Sequence, residues 1–257
     1  MSSSTFLSVY RENFYFYIGE ITRNINHISV NWKLAAEISD LFRRMGISCL
    51  FIDNDIKSFF SYLNDGGNAF LFCSQKIPQQ DLISSRFNPF FDALVCKNHP
   101  LAVKIAEQHP KLCNQNYEYP EEFYYYHFLM EFFLEKERDQ IEQILKAYET
   151  ILDGNPDIRF DLCQSLYEVN AETFEENLHS LIQLWESEQK NMQEKELLPP
   201  EIIETEGSIF LEGIALLRIA QNTGIRLDNS FSYMPQDVVD YTPGVFDSEN
   251  WKWVAID

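Results

Sequence analysis

The chain has 257 residues, 40 of them acidic and 20 basic, for a formal net charge of −20, and it is 45% hydrophobic and 15% aromatic. That aromatic content excludes an intrinsically disordered chain, which lacks the apolar surface needed to collapse, and the acidity argues against nucleic acid or an anionic membrane surface as partner. No apolar run approaches the roughly 20 residues of a membrane-spanning helix, and no basic-then-apolar start reads as an export signal. The five cysteines, Cys49, Cys73, Cys96, Cys113 and Cys163, are odd in number and widely spaced, so they read as buried thiols in a reducing cytoplasm rather than a disulfide framework.

Residues 1–117 hold ten acidic and eleven basic side chains, and residues 118–257 hold thirty and nine, so the negative charge belongs to the C-terminal half. Such a field attracts and steers cationic proteins, and on composition alone it fits equally acidic helix faces that only keep the chain soluble.

In chain order, residues 6–17, 32–45 and 56–63 favour helix, whereas 47–52 and 69–73 are short apolar runs that fit a strand or a buried helix equally. Asn64-Asp65-Gly66-Gly67 and Ile77-Pro78 read as turns. Residues 87–99 and 100–109 read as two short helices. From 121 to 152 the apolar positions Tyr125, Phe128, Leu129 and Phe132, then Ile141, Ile144, Leu145, Tyr148 and Leu152, recur at three- and four-residue steps, which predicts one long amphipathic helix with a bend near Lys136. Its other face carries Glu131, Glu135, Asp139, Glu142 and Glu149. Asp153-Gly154-Asn155-Pro156 supplies the stop. A helix over 159–168 follows, then one that begins at the N-cap Asn170 and buries Phe174, Leu178, Leu181, Ile182 and Trp185. After Leu198-Pro199-Pro200 the most apolar helix is expected over 203–222, where Gly207 and Gly213 cost helix propensity unless a neighbour comes close, with Gly224 as its left-handed cap. Residues 225–257 read as an extended tail that packs its aromatics on the helices.

These elements predict a mainly α-helical fold of antiparallel hairpins, stacked as an irregular bundle or short solenoid, with room for a minor β element in the N-terminal half. Residues 1–86 are expected as an N-terminal helical or mixed region and 87–257 as the acidic helical region, the two packed as one globular unit.

Catalytic signals are missing. His27, His99, His109, His127 and His179 include no pair three or four residues apart, the cysteines include no Cys-x-x-Cys, and no metal or cofactor is implied. Asp53-Asn54-Asp55 begins like a calcium loop, but Lys57 and Ser58 stand where a ligand and the glycine belong. Neither a phosphate-cradling glycine pattern nor a Gly-x-Ser-x-Gly elbow occurs. The acid pairs Glu121/Glu122 and Glu175/Glu176 are explained by the helix dipole. In Phe123-Tyr124-Tyr125-Tyr126-His127-Phe128, Tyr125 and Phe128 read as core and Tyr124 as an exposed neighbour, either spare or part of a protein interface. A pocket holding His127 or His179 against a buried carboxylate would reopen an enzymatic reading.

Residues 90–94 (Phe-Phe-Asp-Ala-Leu), 101–106 (Leu-Ala-Val-Lys-Ile-Ala), the helix over 125–152, the run 208–225 from Ser208 through Gly224-Ile225 and the later Tyr233-Met234-Pro235 together resemble the immunity protein 49 family of bacterial polymorphic toxin systems, over 87–236. The resemblance implies a cytoplasmic helical protein that binds and neutralises one cognate toxin domain by occlusion and carries no catalytic residues. Taken with the charge, it makes the expected partner a cationic toxin, met by Tyr124, Glu131, Glu135, Asp139 and Glu142 on one helix and Glu175, Glu186 and Glu188 on another. The alternative is a helical-repeat adaptor or scaffold that binds several protein partners.

Overall fold

Asn31 and Asp55 start the two helices on which the rest of the fold is laid. In the computed structural model, which describes residues 6–227 and 229–254, α1 (Leu7–Asn24) precedes α2 (Trp32–Asp53) and α3 (Ile56–Ser74). Residues 1–5, on which the export reading rests in part, and residues 228 and 255–257 of the predicted tail lie outside the described residues. The Asn31 side chain accepts a hydrogen bond from the Leu34 amide (3.1 Å), and Asp55 accepts from the Ser58 amide (3.0 Å) and hydroxyl (2.6 Å). Each cap satisfies an amide that the first helical turn leaves without a backbone partner. Asn54 (φ 54°) makes the left-handed reversal between α2 and α3, so the stretch that begins like a calcium loop is a helix corner.

The two apolar runs that fitted strand or helix are the buried C-terminal turns of α2 and α3, and no strand occurs among the described residues. Asn64-Asp65-Gly66-Gly67 is no turn either: all four residues lie buried inside α3. A Cβ on Gly66 would stand 3.0 Å from Phe42 Cβ and 3.1 Å from the Ser39 carbonyl of α2, and one on Gly67 would meet Leu101 Cδ2 at 2.9 Å. Two helical glycines forgo roughly 1 kcal/mol each of propensity, and here they let neighbours approach the α3 backbone. The polar pair beside them makes tertiary bonds. Asn64 Oδ1 accepts from Asn98 Nδ2 (2.9 Å) and Asp65 Oδ2 from Asn250 Nδ2 (2.7 Å).

The break at Ile77-Pro78 stands. Two short 3-10 turns lead from it to α4 (Asn88–Val95), and Asn98 then caps α5 (His99–Gln108) by accepting from the Leu101 amide (3.2 Å). The predicted helix over 121–152 is two helices, α6 (Pro120–Phe133) and α7 (Arg138–Leu152). Asp153 (φ 50°) and Gly154 (φ 79°) end α7. α8 (Ile158–Glu168) and α9 (Ala171–Glu194) follow as expected, with Asn170 accepting from the Thr173 amide (3.2 Å) at the start of α9. Short connections set each of α6 to α9 against its neighbour in sequence.

The run expected as one helix over 203–222 is interrupted. α10 (Pro200–Glu204) and a 3-10 turn come before α11 (Leu211–Thr223), because the Phe210 amide donates to the Tyr233 carbonyl (2.8 Å) of the returning tail. That tail is also the close neighbour at Gly213, where a Cβ would stand 2.7 Å from Met234 Sδ. Gly224 (φ 97°) caps α11, which packs on α4. The tail forms α12 (Gln236–Asp240), stacks Tyr241 on Phe60 at 4.9 Å, and buries Trp251 beside Phe72 at 5.1 Å, while Trp253 is exposed. One buried apolar cluster runs from Phe14 of α1 to Trp251. No helix among the described residues is long and apolar enough to cross a membrane.

Candidate functional site

The corner that divides the predicted long helix also borders a broad cleft. At the end of α6 the Glu135 amide bonds the Phe132 carbonyl (3.1 Å) and the Lys136 amide the Glu131 carbonyl (3.3 Å), with Glu135 in the left-handed region (φ 52°). This is the hydrogen-bond pattern that closes a helix C-terminus, and Glu137 then turns the chain into α7. Between this corner, α5 and the end of α11 lies a cleft of about 810 Å³. Its floor is apolar, from Phe132, Phe133, Leu134, Ile141 and Ile219, and its rim carries Glu107, Glu135, Lys136, Arg138 and Asn222. Arg138 is held there: Nε donates to the Tyr167 hydroxyl (3.1 Å), and the guanidinium lies 4.9 Å over that ring. His99 packs on Phe133 at 5.3 Å from the opposite side.

The eight residues expected at a partner surface do not share one environment. Glu135 and Asp139 are exposed beside the cleft. Glu142 is half-buried and accepts from Lys146 (2.7 Å), whose ammonium keeps its carboxyl below the ordinary value. On α9, Glu175 accepts from Asn229 and Glu186 from the Tyr233 hydroxyl (3.0 Å) and from Lys190 (2.9 Å), so both acids fasten the returning tail. Glu188 is half-buried and lends its negative charge to the environment of Arg159. Tyr124 is not the exposed residue expected: its ring is half-buried between Phe123 (5.2 Å) and Tyr148 (6.1 Å).

Glu131 is the clearest correction. It is 8% exposed rather than on the solvent face, because α6 is covered on that side by the segment that follows α5. Lys111 pairs with its carboxylate, and His109 Nε2 lies 3.4 Å from Oε1. His109 is fully buried and its Nε2 is 2.7 Å from His127 Nδ1. Burial pushes both imidazoles down to about 4, which keeps them neutral at ordinary pH. Burial alone would raise the Glu131 carboxyl, but the Lys111 hydrogen bond and charge overcome it and hold the group below its usual value. This cluster was missed because His109 and His127 are 18 positions apart. The available signal was His127 and Glu131, four residues apart and therefore on one helix face. His127 thus does stand against a buried carboxylate, although neither residue lines the cleft.

The fold and its surface define a helical protein that presents a cleft with an apolar floor and a charged rim. Residues 25–238 match the profile of the family described as Immunity protein 49, and the chain belongs to that family. The match reaches well into the N-terminal half, beyond the stretch 87–236 that carries the resemblance in the sequence. An immunity protein role in general comes with membership. No curated protein and no solved structure matches the chain.

Proposed function

We propose that this protein neutralises a cognate toxin domain by occlusion, receiving it at the cleft beside the α6–α7 corner, inside the cell that makes both. Family membership supports the immunity role. The observation that carries the location is the cleft itself, an apolar floor open to solvent with the exposed acid Glu135 on its rim and the exposed Asp139 next in sequence to the rim residue Arg138. Pockets of this kind accept the anchor residues that dominate protein interfaces. The acidity of the C-terminal half makes a cationic partner the better fit, since it speeds encounter while the anchors slow dissociation. Binding involves no bond-making step, so it needs no catalytic residue.

Asn222 is exposed on the rim, so Asn222→Trp fills the mouth without disturbing the core. Coexpression with the product of the neighbouring gene, if it is toxic on its own, tests the reading. Wild-type protein restores growth, and the Asn222→Trp variant, equally stable and equally abundant, does not. Full protection by that variant, with complex formation intact, places the toxin on another face.

A further inference from the structure

We propose that His109, His127 and Glu131 form a binding site for a divalent transition-metal ion of the zinc type, which ties the end of α5 to α6. The donor set comes first. Two imidazoles and a carboxylate are ligands that zinc accepts, and among the described residues this is the one group of three such side chains whose ligand atoms all lie within 4.8 Å of one another. The helix supplies two of them, since His127 and Glu131 stand on the same face of α6. His109, immediately after α5, closes on them from the other side.

The spacing is close to what an ion requires. Tetrahedral zinc with bonds of about 2.0–2.1 Å places its ligand atoms about 3.3–3.4 Å apart. His109 Nε2 and Glu131 Oε1 are already 3.4 Å apart, and the 2.7 Å between His109 Nε2 and His127 Nδ1 has only to open by well under 1 Å. Orientation is prepared as well. His109 Nδ1–H donates to the Ala106 carbonyl (2.5 Å), which leaves the Nε2 lone pair facing the cluster. Metal-bound histidines almost always donate their other ring N–H to a second-shell acceptor in this way. The His127 ring is stacked on Phe123 at 5.1 Å.

Without an ion, His127 Nδ1–H donates to His109 Nε2, and the Lys111 ammonium, paired with Glu131, supplies the positive charge. On binding, His127 carries its proton on Nε2 instead and Nδ1 becomes a ligand. Lys111, with a side chain 49% exposed, swings into solvent and leaves a fourth position for water. The ion then clamps the connector over residues 110–119 between two helices, and its effect is on stability rather than on toxin docking.

The full chain, stripped with EDTA and titrated with zinc chloride in a calorimeter, tests this. One zinc ion per chain is expected, with a melting temperature that rises by several degrees at saturating zinc. His127→Gln should weaken binding by at least about tenfold, the range already lost when second-shell partners are removed, and should abolish the visible absorption of bound cobalt. Lys111→Met removes the competing ammonium at an exposed position and should tighten binding several-fold, a result that does not depend on whether the histidine variant folds. The proposal is overturned if the chain takes up no stoichiometric zinc, if His127→Gln binds as tightly as wild type, or if binding is lost on Cys113→Ser, the half-exposed thiol, and retained without His127.

Discussion

The two halves of the chain place their charges differently. In the N-terminal half, Arg43 of α2 lies in the interior, where Nε and Nη2 grip both oxygens of Asp92 (3.0 and 2.8 Å), with Asp40 at 3.5 Å. Glu206 reaches in from the loop before α11, 2.6 Å from Arg44 and 3.5 Å from Arg43. In the acidic half, apart from the buried Glu131, the pairs lie at the surface, as Glu142 with Lys146 and Glu186 with Lys190 one turn apart on helices and Glu249 with Lys252 in the tail, and Asp139, Glu149, Glu172 and Glu176 face solvent. The N-terminal half therefore holds a compensated interior network around Arg43 beside ordinary surface pairs such as Arg11 with Asp53 and Arg23 with Glu20, and the excess acid of the other half lies mostly on solvent-facing positions. Buried pairs hold elements together through directed hydrogen bonds, whereas exposed pairs are screened and contribute little.

The largest effect should come from breaking the interior pair. Arg43→Met leaves Asp92 buried without its partner and should cost about 3–5 kcal/mol in urea denaturation. Replacing both residues, as Arg43→Met with Asp92→Leu, should recover much of that loss, because an apolar pair carries no desolvation cost. Lys146→Met, which breaks the surface pair on α7, should leave the midpoint unchanged. Equal losses from Arg43→Met and Lys146→Met would erase the contrast between the halves.

A smaller effect is expected from Asp65, a carboxyl buried in the neutral half. It is 1% exposed, and its Oδ1 has no hydrogen-bond partner among the described residues. Burial pushes it up to about 7, with Asp247 adding to the rise and the Asn250 bond opposing it; Tyr62 and Cys96 are the other titratable groups near it. Its folded value lies above the ordinary 3.8, so folding favours the neutral acid. The stability it contributes is complete below about pH 4 and is lost as pH rises through about 7. Denaturation midpoints should therefore fall between pH 5 and pH 8, and Asp65→Asn should flatten that fall, gaining about 1–3 kcal/mol at pH 8. An unchanged pH profile in the variant would assign the slope to other groups.

The same contrast explains what could be read from the sequence. α7 and α9 bury one stripe each, so Ile141, Leu145 and Tyr148, and Phe174, Leu178 and Leu181, stand out at helical spacing. α2 and α3 are buried on several sides, and their apolar runs lose the period that separates helix from strand. Asn64 to Gly67 has the composition of a turn, and only the positions of Phe42, Leu101, Asn98 and Asn250 in space make it a helix interior. The corner at Glu135 was legible only as a bend, because a left-handed glutamate carries no composition signal. The cleft depends on residues from α5, α6, α7, α8 and α11, so no local pattern announces it. Glu131 looked solvent-facing by helical phase, and what covers it is His109 and Lys111, from a connector whose path the sequence does not specify.

The smallest change in stability, and the sharpest test of the outward field, comes from reversing charge beside the cleft. Glu135 and Asp139 are exposed, so Glu135→Lys with Asp139→Lys should shift the melting temperature by less than about 2 °C. Glu131 is left out, since a lysine there would stand beside Lys111 in a buried site and report on folding instead of docking. Against a cationic toxin, association of the wild-type protein should slow as salt rises from 50 to 500 mM, because the Debye length falls from roughly 14 to 4 Å. The double variant should associate more slowly at low salt and lose part of that salt dependence, while dissociation changes less, since screening acts mainly on encounter and the apolar contacts set residence time. Stopped-flow association at the two salt concentrations separates these outcomes. An association rate indifferent both to salt and to the reversals would mean that the acidic half is only a solvated surface, and that the apolar floor, or another face, carries recognition unaided.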